Sequence, residues 1–119
     1  MALETLTMEA GVGEVVIDLK GNTSLSRLKV KTGVGEATID LRGNWKQDID
    51  SKILSGLGEV TIFLPQNIGV RVETKRGLGA IDASNLTVNG NIYTNQQYGK
   101  TSPTLNIYLE SGIGKINLY

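Results

Sequence analysis

Acidic side chains recur at one position of a repeated motif, where their oxygens could ligate calcium. Glu14, Glu36 and Glu59 each follow a Gly-x-Gly pair, and Asp18 and Asp40 come four residues later in the first two copies. Calcium prefers carboxylate and carbonyl oxygens. Calcium-binding nonapeptide repeats are contiguous and carry Asp in the turn, whereas these copies start about 22 residues apart. The spacing therefore favours a solvated outer face over a metal site.

The composition excludes several other kinds of chemistry. The 119 residues include no His and no Cys, which rules out thiol catalysis, disulfides, zinc clusters and histidine acid–base catalysis. Lys and Arg total 12 and Asp and Glu total 12, so the chain lacks the basic excess typical of nucleic-acid binding. The glycine pairs also lack the third glycine and the Lys-Ser/Thr of a phosphate-binding loop. We therefore expect no catalytic residues, no cofactor and no nucleic-acid partner.

The glycine pairs belong to a repeat that organises the whole chain. Segments of alternating apolar and polar residues lead into and out of each pair, which is the pattern of a strand with one buried face. Repeats at this spacing indicate a solenoid. Because glycine has no Cβ to clash at a sharp bend, each pair is predicted to form a corner between two strands. The predicted corner glycines are Gly11, Gly13, Gly33, Gly35, Gly56, Gly58, Gly77, Gly79, Gly112 and Gly114.

The predicted fold is all-β: a parallel β-helix or β-solenoid of about five rungs, in one domain that spans residues 1–119. The repeats start near residues 4, 26, 49, 70 and 105. Stacking in chain order would align inward-facing residues as ladders, one of them Val15/Ala37/Val60/Ile81/Ile116. The aliphatic residues between the glycines are also expected to point inward, as a corner ladder of Val12, Val34, Leu57, Leu78 and Ile113.

The period fails once, between the fourth and fifth copies, where residues 85–104 form an insertion. Asn89-Gly90 between two short alternating segments predicts a hairpin with a two-residue turn, and a polar loop follows it. Insertions in a solenoid map to one face and often hold binding specificity. The insertion is therefore a candidate contact surface.

Aromatic residues mark further departures from the repeat. Phe63 stands where the first two copies have Asp, so alternation turns it outward, either as a contact surface or beneath the inserted hairpin. Cover by the hairpin is favoured, with Tyr93 and Tyr98 of the insertion available for it. Trp45, the only Trp, either covers a rung edge, which is favoured, or anchors a partner. The candidate partner contacts are Phe63, Trp45, Tyr93 and Tyr98.

The Gly-[Val/Leu/Ile]-Gly-[Glu/Lys]-x-x-Ile-[Asp/Asn]-Leu units resemble the toast-rack domain. So does the passage Ile-Phe-Leu-Pro-Gln-Asn-Ile-Gly-Val-Arg-Val at residues 62–72, which the fourth glycine pair follows. That domain occurs at the C-terminal end of LiaF-type membrane proteins of the bacterial envelope-stress response, and in adhesin-like proteins. The resemblance implies a bacterial protein that is membrane-associated through an anchor missing from this sequence, on either face of the membrane.

The resemblance favours a non-enzymatic interaction or sensing module, the soluble C-terminal part of an envelope-stress regulator, which contacts a protein partner or a cell-envelope component. The alternative is a secreted or surface adhesin-like module that forms homo-oligomers through its open rung ends. A polysaccharide-acting enzyme is the least favoured class, because such a site needs convergent acids and bases. The apolar runs are too short to cross a bilayer, so this sequence itself should not insert into a membrane.

Overall fold

A computed structural model describes residues 4–19, 25–42, 45, 48–83, 86–100 and 104–119. All regular secondary structure in these ranges is β-strand, which confirms the all-β prediction. The strands are β1 (Glu4–Val12), β2 (Val15–Asp18), β3 (Leu25–Val34), β4 (Ala37–Asp40), β5 (Ile49–Leu57), β6 (Val60–Phe63), β7 (Gly69–Leu78), β8 (Ile81–Asp82), β9 (Thr87–Asn89), β10 (Ile92–Thr94), β11 (Thr104–Ile113) and β12 (Ile116–Leu118).

The strands form two sheets, and most of their pairings are parallel. A seven-stranded sheet has the order β1-β3-β5-β11-β7-β10-β9, and a five-stranded sheet has the order β2-β4-β6-β12-β8. Each Gly-x-Gly copy ends a long strand of the first sheet and leads into a short strand of the second. This arrangement confirms the solenoid-like class, in which stacked copies bury faces that a single copy could not bury alone.

The copies do not stack in chain order, so the predicted order of the ladders is wrong. The last copy lies between the third and the fourth, because β11 pairs with β5 and β7 while β12 pairs with β6 and β8. The inserted hairpin pairs with the outer edge of β7. That edge is therefore occupied, and the last copy packs between two neighbours. The ladder runs Val15, Ala37, Val60, Ile116, Ile81.

Inward-facing aliphatic residues of both sheets form the core. Ile39, Val60 and Ile116 are fully buried in the five-stranded sheet, and Val30 and Ile53 are fully buried in the seven-stranded sheet. Burying a side chain of this kind stabilises a fold by about 1.5–3 kcal/mol relative to leaving it exposed. The alternation in the sequence therefore identifies the buried face of these strands correctly.

The aliphatic residues between the glycines face outward, contrary to the prediction. Val12, Val34, Leu57 and Ile113 are 83%, 46%, 47% and 52% exposed. The side chain of Leu78 lies outside the described residues. In each of the four copies the short strand of the second sheet begins three residues further along the chain, so the second sheet does not extend over these positions. The corner therefore leaves them facing solvent.

The joint between the sheets requires glycine, most clearly at Gly58. Its φ is +137°, in a region that L side chains rarely adopt. A Cβ added there would lie 2.7 Å from the carbonyl carbon of Gly35 on the neighbouring copy, and closer still to the carbonyl oxygen. Backbone conformation and stacking distance therefore both exclude a side chain at this position.

The predicted hairpin is present, but its turn lies one residue later than expected. β9 and β10 are antiparallel with Ile92 opposite Asn89, so the turn residues are Gly90 and Asn91. Gly90 has φ +63°, and no described residue other than glycine has a positive φ. This combination fits a type II′ turn, which takes Gly at its first central position. Residues 85 and 101–103 of the predicted insertion lie outside the described residues.

Candidate functional site

Four exposed aliphatic side chains form a continuous stripe at the joint between the sheets. Val12 pairs in register with Val34, Val34 with Leu57, and Leu57 with Ile113. We call these four residues the corner ridge. Because neighbouring strands are about 4.8 Å apart, the ridge crosses the strands as one apolar surface. An exposed apolar surface of this kind is typical of a contact site.

Acidic side chains lie beside the corner ridge. Glu14, Glu36 and Glu59 each come two residues after a ridge residue on successive copies, and Lys115 adjoins Glu59 because the last copy stacks beside the third. Glu59 accepts a 2.6 Å hydrogen bond at Oε2 from Nδ2 of Asn117. Within the described ranges, no group of three or more His, Cys, Asp or Glu side chains is placed to hold a metal ion. The acids therefore border the ridge as a charged surface.

Asp40 does not face solvent as the sequence pattern predicts. It is 8% exposed, and its carboxylate accepts hydrogen bonds from Nε of Arg42 at 3.0 Å and from Nη2 at 2.7 Å. The hydrogen bond to Asp40 raises the pKa of Arg42; desolvation opposes this shift, and the charges of Asp40 and Asp18 add to it. The Arg42 backbone amide also donates to Oδ1 of Asp40 at 3.1 Å. Charge-assisted pairing of this kind gives both carboxylate oxygens a partner, which allows Asp40 to be buried.

Phe63 lies in an aromatic and cationic stack on the five-stranded sheet. The guanidinium carbon of Arg42 is 5.0 Å from the Phe63 ring centroid, and the Tyr119 ring centroid is 5.9 Å away with a 42° interplanar angle. The hairpin instead pairs with β7 in the other sheet, so Arg42 and Tyr119 rather than the hairpin cover the ring. Tyr119 was missed by the sequence reasoning, although it lies seven residues after the first glycine of its copy, as Phe63 does.

Two of the predicted contact aromatics are buried and have little area to offer a partner. Trp45 is 4% exposed, and its Nε1 donates a 2.7 Å hydrogen bond to the Leu41 carbonyl, which satisfies the indole N–H. Tyr93 is 8% exposed. Both rings pack in the core, so a contact role for them is wrong. Tyr98 is 43% exposed in the loop after β10, and its contact role stays a prediction.

A cleft of about 610 Å³ lies between the five-stranded sheet and the insertion. Its walls include Gln66, Gln97 and Tyr119 together with apolar side chains such as Leu64 and Leu118. The described residues that line it include no Asp, Glu, Lys or Arg. Such a lining offers hydrogen bonds without a charged side chain.

Comparison with known proteins identifies the family. Residues 3–63 match the model of the N-terminal domain of toast-rack, DUF2154. The chain belongs to the toast-rack family. This finding confirms the resemblance drawn from the glycine units, and it covers about half of the sequence. None of the curated protein sequences compared with the toast-rack chain matches it.

A solved structure is similar over nearly the whole toast-rack chain. It is the crystal structure of a putative cell adhesion protein from Clostridium sporogenes ATCC 15579, with 37% sequence identity and a TM-score of 0.91. The match covers 98% of this chain and 55% of that one, so the toast-rack chain spans about half the length of its neighbour. Family membership and the structural similarity together support the all-β, solenoid-like fold that the sequence predicts. No helix in the described ranges is long and apolar enough to cross a membrane.

Proposed function

We propose that this toast-rack chain is the soluble C-terminal interaction module of a bacterial envelope-stress regulator, and that it docks a partner protein through the corner ridge. The exposed aliphatic stripe is the observation that carries the proposal. The regulator is held at the membrane by an anchor outside this sequence. Residues 1–119 act as one domain of about five rungs, in which the glycine corners hold the ridge rigid.

The chemistry of the ridge describes its partner. Val34, Leu57 and Ile113 are about half exposed in consecutive strands, so they offer apolar area that a partner can bury. Glu36 and Glu59 lie beside them. Apolar contacts supply affinity at an interface, while complementary charge around them sets specificity and association rate. The partner surface is therefore aliphatic with basic residues along one side.

Serine substitutions in the ridge test this role in the whole protein. Leu57→Ser with Ile113→Ser should leave the thermal midpoint of the domain nearly unchanged, since both side chains are already about half exposed. The full-length variant should lose control of an envelope-stress reporter when the bacterium is treated with a cell-wall antibiotic. Val88→Ser is the matched control, because Val88 is 53% exposed on the hairpin, away from the ridge. Normal reporter control by the ridge variant would refute the proposal.

The second candidate is a secreted or surface adhesin-like, self-assembling structural module. The likeness to the clostridial protein supports this alternative. Cell fractionation and protease treatment of intact cells separate the two roles. A surface adhesin is released or cleaved from outside, and its loss lowers attachment without changing the stress reporter. A membrane-linked regulator stays with the membrane fraction, and its loss changes the reporter.

A further inference from the structure

The two ends of the stacked sheets differ. At one end the inserted hairpin covers part of β7, where β10 pairs with residues 71–73. At the other end, β1 pairs only with β3 and β2 pairs only with β4. Among the described residues, no strand lies on the other edge of either strand. We call this open side the β1–β2 edge. Edge strands of this kind are ready templates for another strand.

Gly11 at the β1–β2 edge is unlike the first glycine of every other copy. A Cβ on Gly56 would lie 2.7 Å from the carbonyl oxygen of Gly33, and a Cβ on Gly112 would lie 2.5 Å from that of Gly56. A Cβ on Gly33 would clash in the same way with the carbonyl oxygen of Gly11, and a Cβ on Gly77 with that of Gly112. A Cβ on Gly11 would meet nothing within 4 Å, and the φ of Gly11 is not positive.

The direction in which a Cβ at position 11 would point shows which kind of neighbour would require glycine there. In each stacked copy the clash is with the glycine carbonyl of the preceding copy in the sheet order. For Gly11 that direction leads to the open side of β1. A glycine at this position is required only when another Gly-x-Gly corner stacks there in parallel, at the spacing found inside the chain.

Apolar side chains at the β1–β2 edge also lack the cover that their counterparts have. Leu6 and Met8 are half-buried, whereas their register partners Leu28 and Val30 are buried. A further strand pair would complete the burial of these side chains, and removing apolar area from water favours its docking.

Charge and the hairpin argue against a second copy of this chain as the occupant. Residues 4–19 contain four acidic residues and no Lys or Arg, and Glu9, Glu14 and Asp18 are exposed. Two such edges facing each other would oppose like charges. Head-to-tail stacking would need the outer edge of β7, which β10 already covers at residues 71–73.

We infer that the β1–β2 edge docks one rung of a partner protein: a strand, a Gly-x-Gly corner and a second strand, added in parallel and carrying basic side chains. The inference rests on the proposed role as an interaction module. It concerns the open edge rather than the corner ridge. The Leu57→Ser/Ile113→Ser variant therefore tests the proposed function, and the Gly11→Ala variant tests this inference independently. Strand addition of this kind takes affinity from main-chain hydrogen bonds and specificity from the side chains beside them.

A peptide with the sequence of residues 25–42 is a suitable probe, because it has two strand segments, a Gly-Val-Gly corner and basic residues at Arg27, Lys29 and Lys31. A fluorescent form of this peptide should bind the full chain saturably with 1:1 stoichiometry. Binding should slow amide hydrogen exchange in residues 4–12 of the chain. A peptide of the same composition in scrambled order should not bind.

Gly11→Ala is the decisive variant. It should weaken peptide binding at least tenfold and leave the thermal midpoint of the free chain unchanged, because its Cβ meets nothing without an occupant. Thr7→Ala, on the same strand and also exposed, should keep full affinity. Absence of saturable binding up to millimolar peptide, or equal affinity in Gly11→Ala, would overturn the inference. Sedimentation showing self-association that Gly11→Ala abolishes would overturn it too, by assigning the edge to a second copy.

Discussion

Asn95 and Val70 exchange two hydrogen bonds where the insertion meets β7. The Val70 amide donates to Oδ1 of Asn95 at 2.9 Å, and the Asn95 amide donates to the Val70 carbonyl at 3.2 Å. Nδ2 of Asn95 also donates to the Ile68 carbonyl at 2.8 Å. Before β10, the Thr74 amide donates to the Asn91 carbonyl and Nδ2 of Asn91 donates to the Thr74 carbonyl. Two asparagines thus fasten the hairpin to β7.

Asn95→Ala should loosen this attachment. Val70 is fully buried, so its amide would lose its acceptor without gaining water, at a cost of about 1–3 kcal/mol. Urea unfolding followed by circular dichroism measures the loss. Gln96→Ala is the control, since Gln96 is the exposed next residue. Equal stability of the two variants would show that the Asn95 side chain does not hold the hairpin.

Valine substitutions separate backbone conformation from stacking at the glycine corners. Gly58→Val should unfold the chain or destabilise it by more than about 4 kcal/mol, because φ and the carbonyl of Gly35 both exclude a side chain. Gly13 shares the positive φ, at +122°, but a Cβ there meets nothing within 4 Å. Gly13→Val should therefore cost only about 1–3 kcal/mol of backbone strain. Denaturant midpoints that are equal for the two variants would disprove a role for stacking.

Arg42→Ala should lower the thermal midpoint, because it leaves the carboxylate of Asp40 buried without its two-point partner. The hydrogen bond to Asp40 raises the pKa of Arg42, so the guanidinium stays charged at neutral and moderately alkaline pH, where its pairing with the ionised carboxylate stabilises the folded state. The decrease in midpoint should therefore be similar at pH 7 and pH 10. Lys29→Ala, at an exposed position, should have little effect. A deficit that disappears by pH 10 would contradict this account.

Trp45 should report the integrity of the core by fluorescence. Its ring is 4% exposed, so its emission should be blue-shifted and poorly quenched by iodide until the chain unfolds. Trp45→Ala should cost about 3–5 kcal/mol through the cavity it creates, and Trp45→Phe less, since it keeps most of the packing. Strong iodide quenching in the native state would place the ring at the surface instead.

Local patterns predicted much of this fold. Alternation identified the buried positions of β3 and β5, such as Val30 and Ile53, because a strand turns successive side chains to opposite faces. The hairpin was also predictable from Gly90 and its flanking segments. Its register was not, because Asn89-Gly90 and Gly90-Asn91 both form two-residue turns, and pairing with β7 at Glu73 and Thr74 selects between them.

The candidate site was much less predictable. Leu57 and its counterparts were expected to point inward because they are aliphatic, but residue type does not say where the second sheet ends. Phe63 was recognised as a departure from the repeat, but its contact with Tyr119 depends on β12 lying beside β6. That placement follows from the position of the last copy, which no local signal in the sequence specifies.

The sequence by itself determined which residues form strands, where the corners lie and which faces are apolar. These properties depend on residues that are close together in the chain: the two-residue period of a strand, the absence of a Cβ at the joints and the turn residues of the hairpin. Only the tertiary structure decided that the last copy lies between the third and fourth, that the corner ridge is exposed and that the β1–β2 edge is open. Those depend on which strand takes each free edge and on how far the second sheet extends, through contacts between residues far apart in the chain.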